Sequence, residues 1–171
     1  ADANETVEAV KAMAAMDGPC YLRLNRNDYP NVTKEGGKFT IGVPTVLKEG
    51  TDVALFATGY MVGLAMEAAE ELEGAVSVRV INVSTIKPMD AEAVRKMAEG
   101  CRAVVTAEEH NVRGGLGSAL AEVLCGEPKP MKMVGIQDTF GCSGHNYQEV
   151  LEYHGLTKSA IAEAVREMAG I

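Results

Sequence analysis

From residue 45 to residue 171 the chain alternates short apolar runs with amphipathic stretches of helix length, and glycines stand at the joints. VLKEG and DVALFATG come first, followed by MVGLAMEAAEELEG, which closes on Gly74. AVSVRVINV leads to KPMDAEAVRKMAEG, where Asp90 is placed to cap a helix that ends at Gly100. CRAVVTAEE, GGLGSALAEVLCG and MKMVGIQD continue the pattern, and the polar loop TFGCSGHN leads to a short helix, YQEVLEYHG. The last stretch, LTKSAIAEAVREMAG, has Thr157 as a cap and Ile161, Val165 and Met168 on one face. Strands alternating with helices in this way predict βαβ units and a largely parallel sheet covered on both faces. Runs such as ALFA and AVVTA are apolar enough to be buried on both sides. A three-layer α/β/α domain over residues 45–171 is therefore expected, with Met66, Met97, Met131, Met133 and Met168 as packing residues.

The first 44 residues do not fit that rhythm. Val7, Val10 and Ala14 recur at helical spacing over residues 3–16, with Asn4 or Thr6 as the cap, and Asp17-Gly18-Pro19 ends the helix. CYLRLN, residues 20–25, alternates as a strand does. Residues 26–44 carry prolines, glycines and asparagines without period, as a linker does. One helix and one strand cannot bury enough surface to stand alone. They must dock on residues 45–171, or on a further domain that belongs to a larger enzyme.

Composition narrows the function. With 47% hydrophobic and 23% charged residues the chain is of soluble globular type, and no apolar run has the length of a membrane span. The formal charge of −8 repels phosphate backbones, so no nucleic-acid partner is expected. Cys20, Cys101, Cys125 and Cys142 show no metal-ligand spacing. They read as free, buried or semi-buried thiols of a reducing cytosol, and a cytoplasmic protein without a bound metal is expected.

The stretch TAEEHNVRGGLGSALAEVL, residues 106–124, concentrates chemical groups after a strand. Gly114, Gly115 and Gly117 open a helix whose amides can hold an anion. Their GGxG spacing matches no nucleotide fingerprint, and it serves equally as a tight turn in which bulkier residues would clash. Glu108 and Glu109 point to opposite faces if the strand continues, so they form no acid–base pair. One of the two is positioned for burial against the glycine amides. His110 can act as a base, a metal ligand, or a structural or interface group, but His145 and His154 share no ligand spacing with it. Asp138, Ser143 and His145 make a triad in name only, since no GxSxG elbow is present. Arg23 and Arg26 stand at the end of the first predicted strand, where guanidinium groups can grip a phosphate or carboxylate in bidentate fashion, or simply be solvated. On residues alone no catalytic set is complete.

The order of motifs adds to this. GPCYLRLNR, TDVALFATGYMVGLAMEAAEELE, VRVINVSTIKPMD, TAEEHNVRGGLGSALAEVL, GIQDTFGCSG and YHGLTKSAI resemble, in sequence, the C-terminal part of transketolase-type thiamine-diphosphate enzymes. The resemblance covers nearly the whole chain and is strongest to transketolase itself, particularly forms split into two short polypeptides. It implies a five-stranded mixed sheet in residues 45–171, with VLKEG as an antiparallel edge strand. It makes residues 1–29 the last helix and strand of a pyrimidine-binding domain and residues 30–44 a linker. The complete enzyme, a homodimer of the pentose phosphate pathway, would transfer a two-carbon ketol unit between ketose and aldose phosphates. Thiamine diphosphate and Mg²⁺ would be held by an N-terminal portion or subunit, so this chain alone would bind no cofactor and lack activity. No residue here is implied as catalytic. Arg26 is implied as the contact to the sugar phosphate, and Gly114, Gly115, Gly117 and His110 remain a possible anion or effector site. The alternatives left open are a non-catalytic anion- or partner-binding domain, and the C-terminal part of a deoxyxylulose-phosphate synthase or of a 2-oxo acid dehydrogenase beta subunit.

Overall fold

In a computed structural model that describes all of residues 1–171, five strands form one sheet in the order β1-β3-β2-β4-β5. They are β1 (Thr45–Lys48), β2 (Val53–Ala57), β3 (Val78–Asn82), β4 (Ala103–Asn111) and β5 (Met131–Ile136). β1 lies antiparallel to β3 at one edge, and the remaining pairs are parallel. The expected mixed sheet with an antiparallel VLKEG edge is therefore observed.

Side chains alternate across the sheet as the pleat requires. Val53, Leu55, Ala57, Val105 and Ala107 face one apolar cluster. It is built with the helices α2 (Met61–Glu71), α5 (Tyr147–Tyr153) and α6 (Lys158–Ala169). Ala54, Phe56 and Val104 face a second cluster on the opposite side. There α3 (Ala91–Ala98) and α4 (Leu116–Leu124) supply Val94, Ala98, Leu116, Leu120 and Leu124. With the helices of these two clusters as its outer layers, the domain has the expected three-layer form. Two of the expected caps are present: Asp90 accepts from the Ala93 amide at 2.9 Å and Thr157 from the Ala160 amide at 3.2 Å.

The head of the chain differs from expectation in two respects. α1 spans Ala3–Ala14, but its N-cap is Asp2 rather than Asn4 or Thr6. Asp2 precedes Glu5 by three positions, the spacing of a capping box. Its Oδ1 accepts from the Glu5 amide at 3.0 Å, while its Oδ2 accepts from the amides of Val32 and Thr33 at 2.7 and 2.6 Å. Next, Cys20–Asn25 form no strand. Alternation supplies a face but not a ladder, and no other strand of this chain lies beside them. The apolar face of α1 is not covered by residues 45–171: Val7 and Val10 are about half exposed, and Tyr21 and Leu24 beyond the helix are exposed as well. The cysteines also depart from the reading of buried thiols. All four are free, but only Cys101 is buried.

Candidate functional site

β4 outruns its neighbour. It pairs with β2 from Ala103 to Ala107, and Glu108–Asn111 extend past the end of β2. Both carboxylates therefore stand at the C-terminal edge of a parallel sheet, where such folds collect their ligands. They diverge there, as an extended chain demands.

Glu108 turns toward α4 and is 1% exposed. Its Oε2 accepts from the Leu116 amide at 2.7 Å and its Oε1 from the Gly117 amide at 2.9 Å. A carboxylate at a helix N-terminus satisfies two orphan donors and meets the positive end of the dipole. Burial pushes its pKa above the ordinary glutamate range, against the pull of the two amides. The fit leaves no room for a side chain at Gly115 or Gly117. A Cβ on Gly115 would lie 1.9 Å from Glu108 Oε2, and one on Gly117 would lie 2.7 Å from Met133 Sδ.

This arrangement favours the tight-turn reading of Gly114, Gly115 and Gly117 over a seat for a free anion. The amides of Leu116 and Gly117 already hold the chain's own carboxylate, and the Gly114 amide donates to Ser118 Oγ at 2.9 Å. His110 does not join the turn either. It is exposed, with Nδ1 2.9 Å from the carbonyl oxygen of Asn111. The Asp138, Ser143 and His145 set is dispersed, since Asp138 pairs with Arg113 at 3.2 Å and His145 faces Glu149 at 3.2 Å.

Glu109 turns the other way, toward α5 and the head segment. Its Oε2 accepts from the Tyr147 hydroxyl at 2.8 Å and from Asn25 Nδ2 at 3.0 Å. The Tyr147 hydroxyl also lies 3.0 Å from Asn25 Nδ2 and 3.5 Å from the Tyr29 hydroxyl. Tyr60, which precedes α2, packs between the other two rings at centroid distances of 4.8 Å to Tyr29 and 5.8 Å to Tyr147. Burial is the first cause holding all three phenols above the ordinary tyrosine range, and for Tyr147 the Tyr29 hydroxyl and Glu109 raise it further. The hydroxyls are therefore donors and acceptors at neutral pH, not bases.

Sequence reasoning misses this cluster, because Asn25, Tyr29, Tyr60, Glu109 and Tyr147 come from four separate segments with no common spacing. The one available signal is Glu109 at the end of a central strand. The cluster draws the head segment onto the sheet edge and so places Arg26. The Arg26 side chain is exposed and makes no ion pair with the chain. Arg23 is nearer the domain, with Nη2 3.5 Å from the Glu109 carbonyl oxygen.

No group of three His, Cys, Asp or Glu side chains is arranged to hold a metal ion. No helix is long and apolar enough to cross a membrane.

The family model described as transketolase, C-terminal domain, matches residues 42–161. A 6-deoxy-6-sulfo-D-fructose transketolase subunit, SqwH, of Clostridium sp. strain MSTE9 is 44% identical over 98% of this chain and 52% of its own length. One of the subunits of an apulose-4-phosphate transketolase of Phocaeicola vulgatus is 35% identical over 97% of this chain and 54% of its own. The chain thus spans about half the length of the curated relatives it matches. A solved structure described as a split gene transketolase, inactive beta4 tetramer, superposes with a TM-score of 0.93 at 44% identity. That match covers 99% of this chain and 56% of the solved one. By the family model and by these relatives together, the chain belongs to the transketolase C-terminal domain family, whose enzymes depend on thiamine diphosphate.

Proposed function

We propose that the chain is the C-terminal section of a split transketolase, in which Arg26 binds the anionic end of the sugar substrate. The complete enzyme would move a two-carbon ketol unit between a ketose and an aldose phosphate. Thiamine diphosphate and Mg²⁺, seated in an N-terminal portion or subunit, supply the carbon–carbon bond chemistry when bound. Residues 1–29 then complete a neighbouring pyrimidine-binding domain and residues 30–44 link it to the C-terminal domain. The uncovered Val7, Val10, Tyr21 and Leu24 are what such a shared domain would cover. The active assembly would be a cytoplasmic homodimer of such pairs, with the C-terminal domains contributing to the dimer contact. Support for a missing half comes from the solved relative, whose beta chains alone form a tetramer described as inactive.

The observation that carries the reading is the Arg26 guanidinium, exposed and unpaired on a segment fastened to the C-terminal edge of the sheet. A planar fork of donors fits a phosphate or sulfonate oxygen pair. Both curated relatives are named for sugars that carry such a group, a sulfonate in one and a phosphate in the other.

The test is reconstitution with the N-terminal portion and assay of ketol transfer. Arg26→Ala should raise KM for a sugar phosphate by about tenfold or more, the value of one or two charge-assisted hydrogen bonds, with kcat little changed. An unaltered KM would remove the role given to Arg26. Turnover of ketoses by the purified chain without its partner would overturn the division of labour.

A further inference from the structure

We propose that Glu109 is a positioning residue, fixing the Arg26 segment to the C-terminal domain through Asn25 and Tyr147. The inference rests on the reading of Arg26 above and deepens it.

Arg26 lies between two asparagines. Asn25 Oδ1 accepts from the Asn27 amide at 3.2 Å and lies 3.4 Å from Asn27 Nδ2. That closes an Asx turn with Arg26 as its middle residue. The other end of the same side chain points outward: Asn25 Nδ2 reaches Glu109 Oε2 and the Tyr147 hydroxyl, each at 3.0 Å. The Tyr147 hydroxyl accepts from Asn25 and donates to the same carboxylate oxygen at 2.8 Å. One amide group thus shapes the turn with its oxygen and tethers it with its nitrogen.

The tether matters because nothing else near Arg26 within this chain is regular. Cys20–Asn25 form no strand, and residues 23–26 are exposed. A guanidinium on such a segment would lose its freedom on binding, and that loss weakens the complex. Fastening Asn25 to β4 removes part of the cost in advance, which is how positioned groups raise affinity. The same bonds solve a second problem. A bare carboxylate near Arg26 would compete with an anionic substrate for its donors. Here Glu109 Oε2 is engaged by Asn25 and Tyr147, and Arg26 is left without an ion pair.

The experiment uses the assembled enzyme and two readouts. The first is the rate of tryptic cleavage after Arg26, which follows local opening of that segment. Glu109→Ala and Tyr147→Phe should each raise it about threefold or more over cleavage at lysines elsewhere, by the logic of a lost local tether. The second is kinetic. Both variants should raise KM for a sugar phosphate by about three- to tenfold with kcat held, as a lost hydrogen bond or two would. Glu109→Gln, which keeps an acceptor oxygen, should stay near the parent. In an Arg26→Ala background the KM effect of Glu109→Ala should vanish. An unchanged cleavage rate in both variants, or an equal KM rise without Arg26, would overturn the proposal. Should Arg26→Ala alone leave KM unaltered, the phosphate reading falls, and the cleavage rate still decides the tether.

Discussion

The Glu108 carboxylate straddles the start of α4, one oxygen on the Leu116 amide at 2.7 Å and the other on the Gly117 amide at 2.9 Å. Strand and helix are locked together by a side chain that solvent does not reach. Glu108→Ala removes the acceptor and leaves two buried donors unpaired, and it opens a void between β4 and α4. The expected loss of stability is on the order of 2–4 kcal/mol. A denaturant titration of the chain should show it as a lower midpoint with an unchanged slope. A loss within about 0.5 kcal/mol would mean that the turn holds itself without the carboxylate.

The same group makes stability depend on pH in a defined direction. Burial raises the Glu108 pKa above its ordinary 4.5, so the folded chain holds that proton more tightly than the unfolded one. Where the native state binds more protons, stability falls as pH rises. The Glu108 contribution should therefore decline from near the ordinary glutamate value upward, through the raised folded value, and then level off. Glu108→Gln carries no proton to lose. The difference in unfolding free energy between parent and variant, plotted against pH, should fall over that window. A difference that rises with pH there, or stays flat, would contradict the assigned direction.

Gly115 is the companion of that contact. Its missing Cβ would stand 1.9 Å from Glu108 Oε2, closer than any non-bonded pair permits. Gly115→Ala must push the carboxylate off the helix start or shift the turn, at a cost of roughly 2 kcal/mol or more. Because both changes break one contact, Gly115→Ala should cost less in a Glu108→Ala background, where the clash left is with the Asn111 carbonyl oxygen at 2.6 Å. Full additivity of the two unfolding free energies would show that they act independently.

The layers and most of the caps are legible in the residues alone, because they depend on local signals. Asp90 and Thr157 announce helices at their own positions, and runs such as Val53–Ala57 announce buried strands by their lack of any polar face. Divergence of Glu108 from Glu109 follows from the pleat once the strand is known to continue. What local pattern cannot supply is company. The Cys20–Asn25 run alternates as well as any strand here, yet a ladder needs a second chain segment, and no spacing rule says whether one is near. For the same reason the meeting of Tyr29, Tyr60 and Tyr147 is invisible in the sequence, being a product of three separate segments arriving at one sheet edge. The glycine turn has the look of a free anion seat because its occupant lies earlier in the chain, in the strand before the turn.

Asp2 offers a test of how the head is held to the rest of the chain. Burial pushes its carboxyl up, but the Glu5 amide, the Thr33 hydroxyl and amide and the Val32 amide together hold it below the ordinary 3.8. A group with a depressed folded pKa contributes stability that is fully present above the unfolded pKa and is lost as pH falls through the folded one. Asp2→Ala removes a helix cap and the bonds to Val32 and Thr33, at a cost of about 1–3 kcal/mol near neutral pH. The gap between parent and variant should narrow as the solution is taken below pH of about 4, where the parent carboxylate begins to be protonated. Amide hydrogen exchange gives the local check: protection at Glu5, Val32 and Thr33 should fall together in Asp2→Ala, while the amides of β2 keep theirs. Unchanged exchange at Val32 and Thr33 would mean that the linker is held by something other than Asp2.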